Sequence, residues 1–325
     1  MIKKTEVISS YRLPVDEKLE IKRCRYMPEN LTGLDIRRLP RISVVTGIHG
    51  DELEGQYMCY EVGRRISENP ECLKGIVDIY PAVNPLGIDS VTRGIPNFDL
   101  DMNRTFPGTG HNTMVEYVAS NVINSLDGSD LVIDCHASNI YLTELPQARV
   151  PVDYAEKLVP LALALNLDFI WVHQASTVLE STLCHSLNVI GTPCVVVELG
   201  VGMRITKEYG EQLADGVFNA MKKLKIWDGE VFKGAKHTAT VSTDGYVSFL
   251  NANASGIFVP SARHSDYVKE GDEIGRIIEP LTGEIKEFVK APADGLVFTL
   301  RDYPVCLSGS LLGRILGGID ICEET

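Results

Sequence analysis

The chain has 325 residues, 44% of them hydrophobic and 23% charged, a composition that suits a folded globular protein and argues against disorder. With 31 basic against 44 acidic side chains the formal net charge is -13, and no Lys/Arg-rich block offsets it. Nucleic acid and anionic membranes are therefore not expected as partners, whereas a few arginines gathered in a cleft still allow an acidic small substrate.

The start, "MIKKTEVISSYRLPVDEKLE", has no apolar core of export-signal length, and the longest apolar segment, "KLVPLALALNL", falls well short of a membrane span. Cysteines at 24, 59, 72, 135, 184, 194, 306 and 322 form no CxxC pair. Reduced, buried thiols and a cytoplasmic location are expected.

The first patterned segment is "RISVVTGI", which runs into "TGIHGDELEG" at 46–55. If a strand ends near Thr46, His49 and Glu52 lie at its carboxyl end, where open α/β sheets place their ligand crevices. Gly47 and Gly50 let the backbone bend so that both side chains turn inward. An isolated pair of this kind is more often part of a solvated loop, so a ligand role requires partners from elsewhere in the chain.

A helix-like segment, "ELEGQYMCYEVGRRISE", and a strand-like one, "IVDIYPAV", come next. The stretch "TRGIPNFDLDMNRTFPG" at 92–108 is rich in turn formers and reads as a loop. Its Arg93 and Arg104 suit the two positive functions an amide hydrolase needs for an acidic substrate: one polarises the scissile carbonyl, the other forks onto a carboxylate with help from Asn103. For a lone arginine the competing reading is a surface charge.

After the helical "MVEYVASNVINSL", the run "DLVIDCHAS" places Asp134 and His136 at a second strand end. His49, Glu52 and His136 together make the two-His, one-Glu set of a catalytic zinc, one ion per chain, with the fourth position open to water. Asp134 shares a strand face with His136, which allows it to orient that ring or to make a simple polar contact. Helical "YAEKLVPLALALNL" and strand-like "FIWVHQA" lead to "TPCVVVELG", where Glu198 follows an apolar run. A carboxylate there is costly to bury without a purpose or a partner. It suits a general base beside the metal, or else an ion pair or helix cap.

With "KEYGEQLADGVFNAMKKL" closing this region, residues 1–230 read as an α/β domain, a mixed sheet flanked by helices. Residues 231–325 change texture: "HTATVSTDGYVSF", "SGIFVPS", "YVKEGDEIGRIIEP" and "IKEFVKAPADGLVFTL" are short strands punctuated by Gly, Pro, Asp and Asn. "VKEGDEIGRI" and "VKAPADGLVF" resemble the two halves of a lipoyl/biotinyl-type barrel-sandwich. No lysine occupies the tight-turn setting for a swinging cofactor, so the shape is expected without the cofactor.

His49-x-x-Glu52 after a first strand, the loop ending "DLDMNRTFPG", then "DCHAS" and "VVVELG", in this order, resemble the succinylglutamate desuccinylase/aspartoacylase family, zinc hydrolases related to the zinc carboxypeptidases. The resemblance covers roughly residues 41–220, and a C-terminal β module is also typical of that family. It implies a zinc-carboxypeptidase-like sheet, zinc on His49, Glu52 and His136, and Glu198 as general base. The "DMNR" segment matches the family's "DLNR", which implies carboxylate recognition by Asn103 and Arg104, and Arg93 is the candidate for polarising the carbonyl.

The expected activity is zinc-dependent hydrolysis of a small, carboxylate-bearing N-acyl amino acid or related N-acyl amine. A peptide-trimming carboxypeptidase and a non-catalytic binding protein are the alternatives. A homo-oligomer would suit apolar surface left by a two-domain chain of this size. His111, His173, His185, His237 and His264 lack a partner pattern and read as surface or core residues. The exception is His264, which with Arg263 and Tyr267 is expected to form a loop that shapes specificity. Trp171 and Trp227 read as packing anchors, and Arg204 as either cleft or solvent.

Overall fold

The computed structural model describes residues 1–29, 36, 38–96, 98, 100–174, 180–231 and 239–318. Its first eight strands are β1 (Ile2–Arg12), β2 (Lys18–Met27), β3 (Arg41–Val45), β4 (Ile76–Tyr80), β5 (Leu131–His136), β6 (Leu142–Pro151), β7 (Phe169–His173) and β8 (Cys194–Gly200). Strands β4, β3, β5 and β8 lie side by side in that order and run parallel. The β1–β2 hairpin extends the sheet antiparallel beyond β4, and β6 runs antiparallel to β8 on the other side.

Alternation along each strand sends its side chains to two cores. On one face Val44, Ile133, Val195 and Val197 meet the apolar stripes of the helices Glu54–Glu68 and Lys207–Lys223. On the other, Val45, Val132 and Cys194 meet the helices Met114–Leu126 and Leu183–Val189. The helix at 114 starts where the sequence says it should: Thr113 and Glu116 form a reciprocal capping box, and Val115, Val118, Val122 and Leu126 recur at helical spacing on the buried side.

The C-terminal strands are β9 (Thr240–Thr243), β10 (Val247–Asn251), β11 (Gly256–Pro260), β12 (Tyr267–Val268), β13 (Glu273–Glu279), β14 (Glu284–Lys290), β15 (Gly295–Arg301), β16 (Val305–Cys306) and β17 (Leu311–Leu316). A four-stranded antiparallel sheet, β14-β13-β11-β16, packs over β15, β17 and β10 around Leu250, Phe258, Ile277, Val297 and Ile315. This is the expected antiparallel β region. Its strands also continue the α/β sheet directly, since β15 pairs with β6 and β9 with β7.

Strand β6 was not among the expected elements, because "LTELPQARVP" mixes Glu, Gln and Arg with two prolines. It carries a bulge: Glu144 pairs with Gly200 and Gln147 with Glu198, three residues against two. Pro146, which has no N–H to lose from the ladder, occupies that irregular step.

The loop after β3 needs its glycines. Gly47 has φ +69°, and a Cβ on Gly50 would lie 1.9 Å from the carbonyl carbon of Gly87. We expect Gly50→Ala to push the loop away from the 85–93 segment and lower stability by roughly 2–3 kcal/mol. A urea midpoint equal to that of the parent protein would show that the approach is not required.

Candidate metal centre and its cleft

The ends of β3, β5 and β8 meet at the carboxyl edge of the parallel strands, which is where such sheets open a crevice. His49 and Glu52 stand in the loop after β3, and His136 is the last residue of β5. Glu198, on β8, is the register partner of His136. All four, together with Arg93, Asn103 and Arg104, line one cavity of about 700 Å³.

Three donor atoms converge there. His49 Nδ1 lies 2.7 Å from Glu52 Oε1, His136 Nδ1 lies 2.8 Å from Glu52 Oε2, and the two Nδ1 atoms are 3.2 Å apart. In a tetrahedral zinc site with bonds of about 2.0–2.1 Å, neighbouring donors stand about 3.3 Å apart, so this spacing fits an ion with little movement. The outer ring nitrogens are engaged elsewhere. His49 Nε2 is 3.0 Å from Asp101 Oδ1, and His136 Nε2 is 3.1 Å from Asp134 Oδ1.

The first of these contacts has hydrogen-bond geometry. The second is within ion-pair distance but out of line, and the fully buried Asp134 oxygens find no hydrogen bond among the described residues. The Asp101 contact favours a proton on His49 Nε2, which leaves its Nδ1 lone pair directed, like His136 Nδ1, at the Glu52 carboxylate. Burial opposes ionisation of Glu52, yet His49 and His136 beside it hold its carboxyl below the usual range. Two lone pairs and a carboxylate meeting in a buried place are what a cation satisfies, and these residues form a set able to bind a metal ion.

Arg93 donates from Nη1 to Glu52 Oε1 at 2.8 Å and approaches Asp101 with Nη2 at 3.4 Å. Asn103 is buried, and its Oδ1 accepts from Leu183 N at 2.9 Å, which ties the loop to the helix Leu183–Val189. Arg104 is exposed and donates to the neighbouring Asn103 carbonyl at 2.8 Å. Asp101 organises this loop: its Oδ1 accepts from Asn103 N at 2.8 Å as well as facing His49.

Glu198 has a side chain 14% exposed, with Arg149 Nη1 at 3.2 Å from its Oε1. Burial pushes its carboxyl up to about 7 against the pull of Arg149. Several cavity residues were not among the expected ones. Arg149, Glu144 and Arg314 line it, as do Trp171, His173 and His185, which the sequence places as packing or surface residues. The available signal for Arg149 was a charge inside the apolar stretch "LPQARVP".

His264 is not at the cavity. It lies 3.2 Å from both the Tyr209 hydroxyl and the Phe298 carbonyl, which turns its ring toward the fold while the neighbouring Arg263, Ser265 and Tyr267 stay exposed. Arg204 pairs with Asp302 at 3.2 Å and is 65% exposed. His237 lies outside the described residues.

The succinylglutamate desuccinylase/aspartoacylase catalytic domain matches residues 38–224 of this chain. An N-alpha-acetyl-L-2,4-diaminobutyric acid deacetylase from Halomonas elongata is 24% identical over 276 residues, 83% of this chain and 79% of the relative. A succinylglutamate desuccinylase/aspartoacylase from Rhodobacter sphaeroides superposes with a TM-score of 0.78 at 21% identity, covering 97% of this chain and 94% of that one. The product-bound ectoine utilization protein EutE (DoeB) from Ruegeria pomeroyi gives 0.78 and 21%, with 94% and 92% covered. The chain therefore belongs to the succinylglutamate desuccinylase/aspartoacylase family of enzymes, which act on amide bonds other than peptide bonds.

Proposed function

We propose that the enzyme is a zinc-dependent deacylase that hydrolyses a small, carboxylate-bearing N-acyl amino acid and releases a carboxylic acid and a free amine in the cytoplasm. The observation that carries this reading is the convergence of His49 Nδ1, His136 Nδ1 and the Glu52 carboxylate beside a second, half-buried carboxylate, Glu198, in one cavity. The Halomonas relative's name, a deacetylase of an N-acetylated diamino acid, supports a small N-acyl substrate.

A zinc ion on His49, Glu52 and His136 would supply Lewis acidity, acidifying water and polarising the acyl carbonyl. Glu198 takes the proton from the attacking water and hands it to the departing amine. Arg93, beside Glu52, offers positive charge to the oxygen that becomes negative in the transition state. Arg104 and Asn103 receive a substrate carboxylate at the cavity wall. In this division of labour residues 1–230 form the hydrolase domain and residues 231–325 the β-rich companion.

The test is amine release from a panel of N-acetyl and N-succinyl amino acids, with metal content measured on the same samples. Turnover of none of them by zinc-loaded protein would sink the substrate class. Arg104→Ala is expected to raise KM for the best substrate roughly thirtyfold, the worth of a charge-assisted pair of about 2 kcal/mol, while kcat changes much less. An unchanged KM would remove Arg104 from carboxylate recognition.

A further inference from the structure

One wall of the cleft carries a charge network to which the proposed reaction assigns no role. Glu144, 1% exposed on β6, accepts from Arg149 Nη2 at 2.9 and 3.1 Å and from Arg314 Nη1 at 2.9 Å. Gln147 also donates to it. Arg149 then reaches on with Nη1 to Glu198, 3.2 Å away. Both guanidiniums lie against the ring of Trp171, at 5.9 and 5.7 Å from its centroid.

We propose that Arg149, anchored by Glu144 and braced by Arg314 from the C-terminal strands, is the positioning residue that aims Glu198 at the attacking water. This rests on the reading of Glu198 as the proton acceptor. A carboxylate that must accept a proton from one direction needs its other oxygen occupied, and Arg149 faces Oε1. Arg149 is not free to swing onto a substrate, because Nη2 is held at two short contacts by Glu144. Arg104 differs: it is exposed and is held by one neighbouring carbonyl.

The charges agree with this role. Two guanidiniums face two carboxylates, so the quartet is neutral at rest. When Glu198 takes up its proton, the quartet gains one positive charge just as a negative charge develops on the substrate. Arg149 keeps its compensation in Glu144 throughout, so nothing draws it out of place. The bulge in β6 makes the anchor possible. Glu144 and Arg149 are five residues apart and would face opposite sides of a regular strand, but the extra residue between Glu144 and Gln147 restores them to one side.

The experiment uses the full-length, zinc-loaded protein and the N-acyl amino acid it turns over fastest. Arg149→Gln, Arg149→Lys, Arg314→Gln and Glu198→Gln are compared for kcat, KM, metal content and melting temperature. The expected result for Arg149→Gln is a fall in kcat of about a hundredfold, the scale of a misplaced catalytic group, with KM within about twofold and zinc retained. Arg149→Lys recovers part of kcat. Arg314→Gln lowers kcat about fivefold in the parent and adds nothing once Arg149 is gone, since it acts through the same network.

A raised KM with kcat unchanged in Arg149→Gln would make Arg149 a substrate anchor and overturn the proposal. If Arg149→Gln does not fold, Arg314→Gln decides alone: a normal kcat overturns the proposal. An inactive Glu198→Gln beside a fully active Arg149→Gln removes this inference and leaves the proton acceptor standing. A fully active Glu198→Gln removes both.

Discussion

Replacing Glu198 by Gln is expected to leave zinc bound and lower kcat by about a thousandfold or more, within the range general acid–base catalysis contributes. The amide keeps the volume of the side chain and its place beside Arg149, but it accepts no proton. Metal content separates this outcome from collapse of the site: zinc stays at about one per chain if the fourth ligand position is not Glu198. Ordinary turnover would remove Glu198 from the reaction.

The same group is expected to set the acid limb of the pH profile. Burial raises its carboxyl to about 7, with Arg149 pulling the other way, and a dication in the neighbouring site favours the ionised form further. As the proposed proton acceptor Glu198 works only as the carboxylate, so in the zinc-loaded protein kcat/KM is expected to be full near pH 7 and to fall as pH drops through a value below it. A profile flat down to pH 4 would show that no such carboxyl is used.

Removing the proposed metal ligands is expected to be the second large effect. His49→Ala, Glu52→Ala and His136→Ala are each expected to take zinc from about one per chain to none and to abolish turnover. Glu52→Ala should be the least stable of the three. Besides meeting both imidazoles, Glu52 accepts from Arg93 Nη1 at 2.8 Å and from Ala137 N at 3.3 Å, so its loss leaves an exposed guanidinium and a buried N–H without that partner. Leaving a buried N–H without its acceptor costs about 1–3 kcal/mol. Denaturation midpoints of the three metal-free variants give the comparison, and zinc retained in all of them would place the ion elsewhere.

Much of the site was readable because its residues sit at strand ends. A short, mainly apolar run followed by polar residues marks both a buried parallel strand and its carboxyl edge, so "RISVV", "DLVIDCH" and "CVVVELG" located His49, His136 and Glu198 together with the strands that carry them. Arg93 and Arg104 were readable for a different reason, as arginines in a turn-rich loop between two such strands. The network behind Glu198 was not. Strand β6 looks like a loop, since its polar residues serve the cavity and its proline serves a bulge, and neither follows the apolar pattern by which a strand is recognised.

Sequence by itself determined the α/β character of residues 41–230, the β-rich C-terminal region and the donor types of the candidate metal site, because periodicity and residue chemistry are local properties. Tertiary structure decided which charges face one another. Arg314 lies 165 residues after Arg149 and meets Glu144 only because β17 and β15 extend the sheet at β6. His264, expected at the cleft, is turned into the fold by Tyr209 and Phe298. Side chains meet according to strand order and register, and those depend on hydrogen-bond pairing between distant segments, which no local pattern encodes.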